Sequence, residues 1–387
     1  MPTSVLIAGG GPAAVEAALA LGRLAGDRVA VTLLAPEADL TYRPLSVLSP
    51  FAAGGATTYS LDRIAADVGF THLRGRLASV DPVAHEVTTV AGSRLSYDAL
   101  LIASGARPVE PFAAATAFTG SKTAQERLHG IVQDIEEGYL KRIAFVVPPG
   151  TTWPLPLYEL ALMLAERAFQ MGVDAQIHLV TPEAGPLDLF GEDASTELSF
   201  LLAQAGIMLH AGVEAEIVAP GRVRAGETLL DVERIVSAPR LEGPKLPGLP
   251  ADPAGFLPTD AHSRVLGAPD VYAAGDVTDY PVKQGGIACQ QADAAAAEIA
   301  ARAGAPVTPE PFTPVLRGML LTERWARYMR SGEVAGRALW WPPAKIAGRE
   351  LAGYVEGLDA ADGRPAGTPV NVPLGTGTDA IEVLGRV

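Results

Sequence analysis

Ser4-Val-Leu-Ile-Ala-Gly9-Gly10-Gly11-Pro12-Ala13-Ala14-Val15-Glu16-Ala17-Ala18-Leu19-Ala20-Leu21 runs from a short apolar stretch through three glycines into an Ala- and Leu-rich pattern that ends near Gly26. The apolar residues change from a strand's run to a helix's spacing, so the stretch predicts strand, tight turn and helix. Such a βα turn binds phosphate. Gly9 permits the sharp reversal, Gly11 lets backbone N–H groups approach a pyrophosphate, and Ala14 is small enough for the helix to pack closely on the strand. The helix N-terminus, entered through Pro12 and Ala13, favours negative charge. A glycine turn in an unrelated α/β protein has the same local pattern, so the rest of the chain must decide.

The 387 residues exceed one ordinary core and imply two or three domains, and a 48% hydrophobic share allows a large interior. A net charge of −14 excludes nucleic acid as the main partner, because a phosphate-tracking surface needs clustered Lys and Arg. The first strand begins at Ser4, leaving no room for a signal segment, and no apolar run approaches a membrane-spanning length. A cytoplasmic protein is expected. The single cysteine, Cys289, cannot form an intrachain disulfide or a two-thiol redox centre, and no metal is expected.

Val29-Ala-Val-Thr-Leu-Leu-Ala35 reads as a second buried parallel strand. Dinucleotide folds end this strand in an acidic residue that holds ribose hydroxyls. Here Glu37 comes two residues past the end, and it is either that residue or a solvated loop carboxylate. Tyr42-Arg43-Pro44 lies in an irregular segment, and His72 to Ala103 reads as a small antiparallel excursion. The excursion delivers a buried strand closing on Ala103-Ser104-Gly105, small residues that suit either a ligand's close approach or plain packing. From about 111 to 245 the architecture repeats, with strands at Lys141–Val147 and Ala175–Val180 around a helix from Tyr158 to Met171. The turn of this second unit, Pro148-Pro149-Gly150-Thr-Thr-Trp153-Pro154, has prolines and a tryptophan where a pyrophosphate needs bare backbone. After a Pro/Gly-rich crossing at 246–253, Val271-Tyr-Ala-Ala-Gly275-Asp276 leads through Lys283-Gln284-Gly285 into an Ala-rich helix, Ile287 to Arg302. Asp276 could accept bonds from ligand hydroxyls or simply cap a turn. Val315–Leu321 and Trp325–Met329 predict a hairpin, and Trp340-Trp341 precedes a short helix through Tyr354. The tryptophan pair suits packing across the hairpin, a membrane surface or a second subunit.

Taken together, Gly9 to Ala14, Leu101-Ile-Ala-Ser-Gly105 and Val271 to Asp276 resemble the FAD-dependent pyridine nucleotide–disulfide oxidoreductase superfamily. Within it the chain is similar to the sulfide:quinone oxidoreductase and type II NADH dehydrogenase branch, over residues 1 to about 355. The resemblance implies an α/β fold of two Rossmann-like three-layer domains with a small C-terminal α+β segment. Residues 1–110 and 246–305 would bind FAD, 111–245 would form the NAD(P)-binding-like lobe, 306–358 a C-terminal hairpin and helix, and 359–387 a tail. It also implies that FAD lies with its pyrophosphate at Gly9, Gly11, Pro12, Ala13 and Ala14 and its ribityl chain at Gly275 and Asp276. Arg43, Pro44, Lys283, Gln284 and Gly285 would border the ring. Tyr158-Glu159-Leu160-Ala161 matches a pattern whose Glu comes near the flavin in these families, so Glu159 and Lys283 become candidates for a proton-relaying ion pair.

The family's sulfide chemistry depends on cysteines, one of them in the turn that here carries Trp153, and this chain lacks them. The expected activity is therefore transfer of two electrons through flavin N5 from a small-molecule donor to a quinone or protein acceptor, without a cysteine centre. Two alternatives stay open. One is an NAD(P)H dehydrogenase using the second lobe, where Glu183 could take a ribose. The other is a flavin-binding interaction protein without turnover. A peripheral membrane contact or a homodimer through the C-terminal region would suit any of these readings.

Overall fold

The N-terminal apolar run forms the strand Thr3–Ala8 in the middle of a five-stranded sheet. The order across this sheet is Val271–Ala273, Ala99–Ile102, Thr3–Ala8, Val29–Ala35, Thr71–Arg74, and every pairing is parallel. The chain first winds outward on one side and then returns to the other, so strand order reverses between Thr3–Ala8 and Ala99–Ile102. Open α/β sheets bind ligands in the crevice outside the strand ends at that reversal. The structure is a computed structural model describing residues 1–322, 326–341 and 343–364.

The helix Pro12–Ala25 follows the glycine turn and packs along the helix Gly285–Arg302. Both present nearly inaccessible alanines, among them Ala14, Ala17 and Ala18 on the first and Ala292, Ala295 and Ala296 on the second. Small side chains bring two backbones close, and here they bring both helix N-termini to the same end of the sheet.

The second lobe repeats this plan. Its parallel sheet is ordered Thr116–Ala117, Arg234–Ser237, Arg142–Val146, Gln176–Val180, Ile207–His210. Each lobe also inserts a three-stranded antiparallel sheet, Leu77–Asp81 to Arg94–Ser96 in the first and Ala215–Ala219 to Thr228–Asp231 in the second. The chain's two crossings between the lobes, Arg107–Val109 and Arg240–Glu242, pair antiparallel with each other, so the return begins before the Pro/Gly-rich stretch.

The C-terminal segment departs from the expected hairpin. Arg317–Leu321, Ala326–Arg330 and Glu333–Ala335 form a three-stranded meander, while Trp325 lies outside the described residues. The last helix among the described residues runs Leu351–Ala361, beyond the expected end at Tyr354 and across the start of the expected tail, whose residues 365–387 lie outside the description. Apolar residues at Leu351, Val355 and Leu358 explain the extra turn, since their spacing keeps one face against the core.

This helix is fastened to the first lobe mainly by carboxylates. Glu16, wholly buried in Pro12–Ala25, accepts the backbone N–H groups of Glu350 and Leu351 at 2.9 and 2.7 Å. It answers the unsatisfied donors of a helix start from another helix altogether. Tyr59 donates to Asp359 at 2.9 Å, and Arg63 bonds Asp362 at 2.7 Å.

Glu16→Ala should therefore lower stability by about 2–3 kcal/mol, the cost of stranding buried N–H donors, and expose Leu351–Ala361 to limited proteolysis. Glu16→Gln, which keeps an accepting oxygen, should lose less. Denaturant melts and timed protease digests check this, and an unchanged alanine variant would remove the tether.

Candidate functional site

Gly9 sits where the two strand ends at the reversal nearly touch. Its φ is +144°, and a Cβ there would stand 2.1 Å from the carbonyl oxygen of Ala103. Only glycine fits. A Cβ on Gly10 would meet Ala35 and Leu61 at 3.0 Å, whereas Gly11 faces open space. Gly11 is the N-cap of Pro12–Ala25 and no side chain caps that helix. Pro12 has no N–H and the Ala14 N–H turns back to the Gly11 carbonyl at 3.1 Å, which leaves the backbone N–H groups of Gly11 and Ala13 for an anion.

The loop after Val271–Ala273 comes to the same place. Gly275, at φ +84°, sets its Cα hydrogens against the methyl groups of Ala13 and Ala288, 3.4 and 3.3 Å from where a Cβ would be. Gln291 fixes this loop by accepting the Gly275 N–H at 2.8 Å and donating to Thr278 at 3.2 Å. Asp276 is thereby held beside the first helix start. Its half-buried carboxylate has no hydrogen-bond donor among the described residues. Burial pushes its pKa up, and the positive charges of Lys283 and Arg43 oppose the shift.

Glu37 is exposed, but its carboxylate leans over the turn, 3.8 Å from a Cβ built on Gly10. Arg43 is exposed, Pro44 is half-buried, and both begin the 3₁₀ segment Arg43–Phe51 on the rim. Ala103, Ser104 and Gly105 follow the strand Ala99–Ile102, with Ser104 open to solvent. Gln284 caps Gly285–Arg302 by accepting the Ile287 N–H at 2.8 Å, and also donates to the Arg317 carbonyl at 3.2 Å. Glycine turn, acidic loop, rim and helix start thus converge on one crevice.

The expected pair between Glu159 and Lys283 is not the one that forms. Lys283 donates to the Thr278 carbonyl and lies 4.0 Å from the centroid of the Phe256 ring. Burial lowers its pKa to about 8 against the pull of Asp276, Asp279 and Asp252. Glu159 is wholly buried and instead bonds Lys345 through both oxygens at 2.5 and 2.7 Å, with the Leu321 N–H as a further donor at 2.7 Å. Burial drives both partners toward their neutral forms, Glu159 upward and Lys345 downward, while each one's charge holds the other back. Lys345 arrives on a segment lying across the crevice: the Ile346 N–H donates to Tyr42 at 2.8 Å, and Ile346 fills the space a Cβ on Gly285 would need. Sequence reasoning missed Lys345 because it stands 186 residues from Glu159 in a segment without a motif. Its one signal is a lysine between apolar residues just before a helix.

The second lobe's turn is filled. Trp153 packs edge-on against Phe190 at 6.0 Å, Thr151 bonds back to the Pro148 carbonyl at 2.7 Å, and the Leu157 N–H is taken by Pro154 at 2.9 Å. Glu183 is occupied as well, accepting from Tyr158 at 2.6 Å and Thr181 at 2.8 Å. Cys289 is buried between Glu16 and Gly348, where burial and the carboxylate push its thiol pKa well up and leave it a poor nucleophile. Trp340 does pack across the meander, edge-on to Tyr328 at 5.3 Å, but Trp341 is 82% exposed.

Residues 3–298 match the family model described as pyridine nucleotide-disulphide oxidoreductase. The chain belongs to that family. Members are FAD-dependent oxidoreductases, and the crevice fits FAD: open backbone at Gly11, a bare helix start and an undonated carboxylate at Asp276 suit a pyrophosphate and a hydroxylated chain. A curated relative, an NADH dehydrogenase-like protein of Mycobacterium tuberculosis, is 29% identical over 293 residues, covering 71% of this chain and 72% of its own. The fold resembles the sulfide:quinone oxidoreductase of Aquifex aeolicus, with a TM-score of 0.73, 19% identity and coverage of 85% and 83% of the two chains. It also resembles a ferredoxin reductase of Rhodopseudomonas palustris, with a TM-score of 0.64, 18% identity and coverage of 84% and 81%. Among the described residues, no helix of this oxidoreductase is long and apolar enough to cross a membrane.

Asp276→Ala should purify with markedly less FAD and bind it at least about tenfold more weakly, the loss of one charged hydrogen bond. Reconstitution followed by absorbance measures this, and full occupancy would remove Asp276 from the site. A lysine pKa lowered by folding means that the unfolded chain holds more protons between about 8 and 10.5. The flavin-free protein should therefore gain stability as pH rises through that window relative to Lys283→Met. Parallel curves for the two proteins would contradict the burial of a charged Lys283.

Proposed function

We propose that this oxidoreductase passes two electrons through FAD from a small reductant to a quinone or protein acceptor, without a thiol centre and without a nicotinamide held in the second lobe. The supporting observation is the contrast between its two turns. One has open glycine backbone and a carboxylate awaiting donors; the other is packed with proline and Trp153, and its acidic residue is bound to Tyr158.

Bound FAD supplies reversible two-electron acceptance at its ring. The chain's residues then have separable tasks. The glycine turn and helix start would hold the pyrophosphate, Asp276 would accept hydrogen bonds from the ribityl hydroxyls, and Arg43 and Pro44 would border the ring. Lys283, cationic below about pH 8, would supply positive charge that stabilises the negative charge gained on reduction. Glu159 and Lys345 hold one transferable proton between them in a dry setting, and giving it to an acceptor would leave the Glu159 carboxylate beside a neutral Lys345 until a proton returns. The quinone reading takes support from the name of the Aquifex aeolicus protein, and the protein-acceptor reading from that of the ferredoxin reductase. The name of the M. tuberculosis relative favours NADH as donor, the second reading.

Removing one partner strands a buried charge, so the test uses Glu159→Gln paired with Lys345→Met, which keeps volume and removes both charges. The double variant should retain FAD, accept electrons from dithionite and pass them to a short-chain quinone about a hundredfold more slowly, the usual share of proton transfer. Stopped-flow reoxidation followed across pH measures this. A wild-type rate and pH profile would remove the relay.

A further inference from the structure

Where the last helix meets the first lobe, three elements bring their acids together. Glu16 stands on Pro12–Ala25, Asp293 on Gly285–Arg302, and Glu350 at the N-cap of Leu351–Ala361. Glu16 is wholly buried, and each of its oxygens already accepts a backbone N–H, from Glu350 and from Leu351. The Cys289 thiol, one turn before Asp293 on the same helix face, is also hydrogen-bonded to Glu16. The chain passes so close that a Cβ on Gly348 would stand 2.6 Å from Glu16 Oε2 and 3.0 Å from Cys289 Sγ.

Asp293 adds a second carboxyl to this packed junction. It borders a cleft of about 760 Å³ where the chain folds back over the helix, with Arg317 in the lining, yet its Oδ1 turns inward. That oxygen is buried against the Glu16 carboxyl and has no donor among the described residues. Arg349 approaches Oδ2 only at 3.9 Å, and Arg23 is engaged by Glu350 at 2.6 Å. Tyr42, near Cys289, already accepts the Ile346 N–H. Two carboxyl groups in contact in a dry setting do not both stay ionised. The backbone donors favour charge on Glu16, as does the helix start it faces, so the proton belongs to Asp293. A protonated Asp293 satisfies its own stranded oxygen, because Oδ1–H donates to Glu16.

We propose that Asp293 holds a proton against Glu16, and that this bond is a pH-sensitive latch on the last helix and on the strap, Lys345 to Leu351, that crosses the flavin crevice. Loss of the proton sets two charges side by side beneath the helix start and loosens both elements. Burial and the charge of Glu16 push the pKa of Asp293 up to about 7, with Glu350 adding to the shift and Arg349 and Arg23 opposing it. The latch is therefore shut in mild acid and weakened in mild alkali. It works the same way whichever donor and acceptor the flavin serves.

The test compares the FAD-loaded wild type with Asp293→Asn, whose amide donates to Glu16 and has no proton to lose. In infrared difference spectra the wild type should show the carbonyl band of a protonated acid that the variant lacks, fading as pH rises through about 7. A carboxyl pKa raised by folding leaves the folded protein with the extra proton between 3.8 and about 7. The wild type's folding equilibrium constant should thus fall about tenfold per pH unit across that window relative to the variant, then run parallel to it. Cys289 is the chain's only thiol and reports the junction directly. A disulfide reagent should modify it severalfold faster in the wild type than in Asp293→Asn above the window, and equally fast in mild acid. No band lost on substitution, parallel stability curves through the window, or equal thiol reactivity above it would each overturn the proposal. Should Asp293→Asn fail to fold, Glu16→Gln carries the test. With no charge beside it, Asp293 gives up its proton in acid, so the band should already be missing at about pH 6, and its persistence there would equally overturn the latch.

Discussion

Two glycines hold the first lobe's site together: Gly9, where a side chain would collide with the carbonyl of Ala103, and Gly275, whose φ of +84° favours glycine and whose Cα packs closely on the methyl groups of Ala13 and Ala288. The first joins the two strands between which the sheet reverses. The second brings a strand from the far end of the chain to the same helix start. Alanines along Pro12–Ala25 and Gly285–Arg302 continue this closeness over several turns. Backbone is left bare at this turn because nothing larger separates these elements, as a pyrophosphate site requires.

Buried carboxylates organise the remainder. Glu16 reaches from the first helix to anchor the last, and Glu159 reaches from the second lobe to hold Lys345. The C-terminal segment is thus tied into both lobes by acids placed far earlier in the chain. It carries Ile346 over Gly285 and Arg317 over the Ala-rich helix, so it completes the flavin crevice on one side and forms the separate cleft on the other.

Much of this was legible in the sequence, for local reasons. The glycine turn, the two repeated sheets and the helix after Gly275-Asp276 follow from periodicities and small residues that act within a few positions of themselves. The packed second turn was legible too, because prolines and Trp153 act where they stand. Long-range pairing was not. Lys283 looked like the partner of Glu159 because both bear opposite charge in flavin-facing segments, yet Lys283 is spent on the Thr278 carbonyl and the Phe256 ring. Lys345 is placed by the meander and by Tyr42, and neither signals it in the sequence. The buried role of Glu16 was equally hidden, since a glutamate one turn inside a helix reads as solvent-facing until the last helix is docked upon it.

The central claim is an asymmetry: one lobe holds a dinucleotide, and its structural repeat has filled the equivalent space. Anaerobic titration of the FAD-loaded protein with NADH, following the visible absorbance of oxidised flavin, tests it most directly, with dithionite as the control that the flavin can be reduced. The packed turn around Trp153 and the bond from Tyr158 to Glu183 predict that dithionite bleaches the flavin and NADH does not. Rapid, saturable bleaching by NADH would contradict the claim.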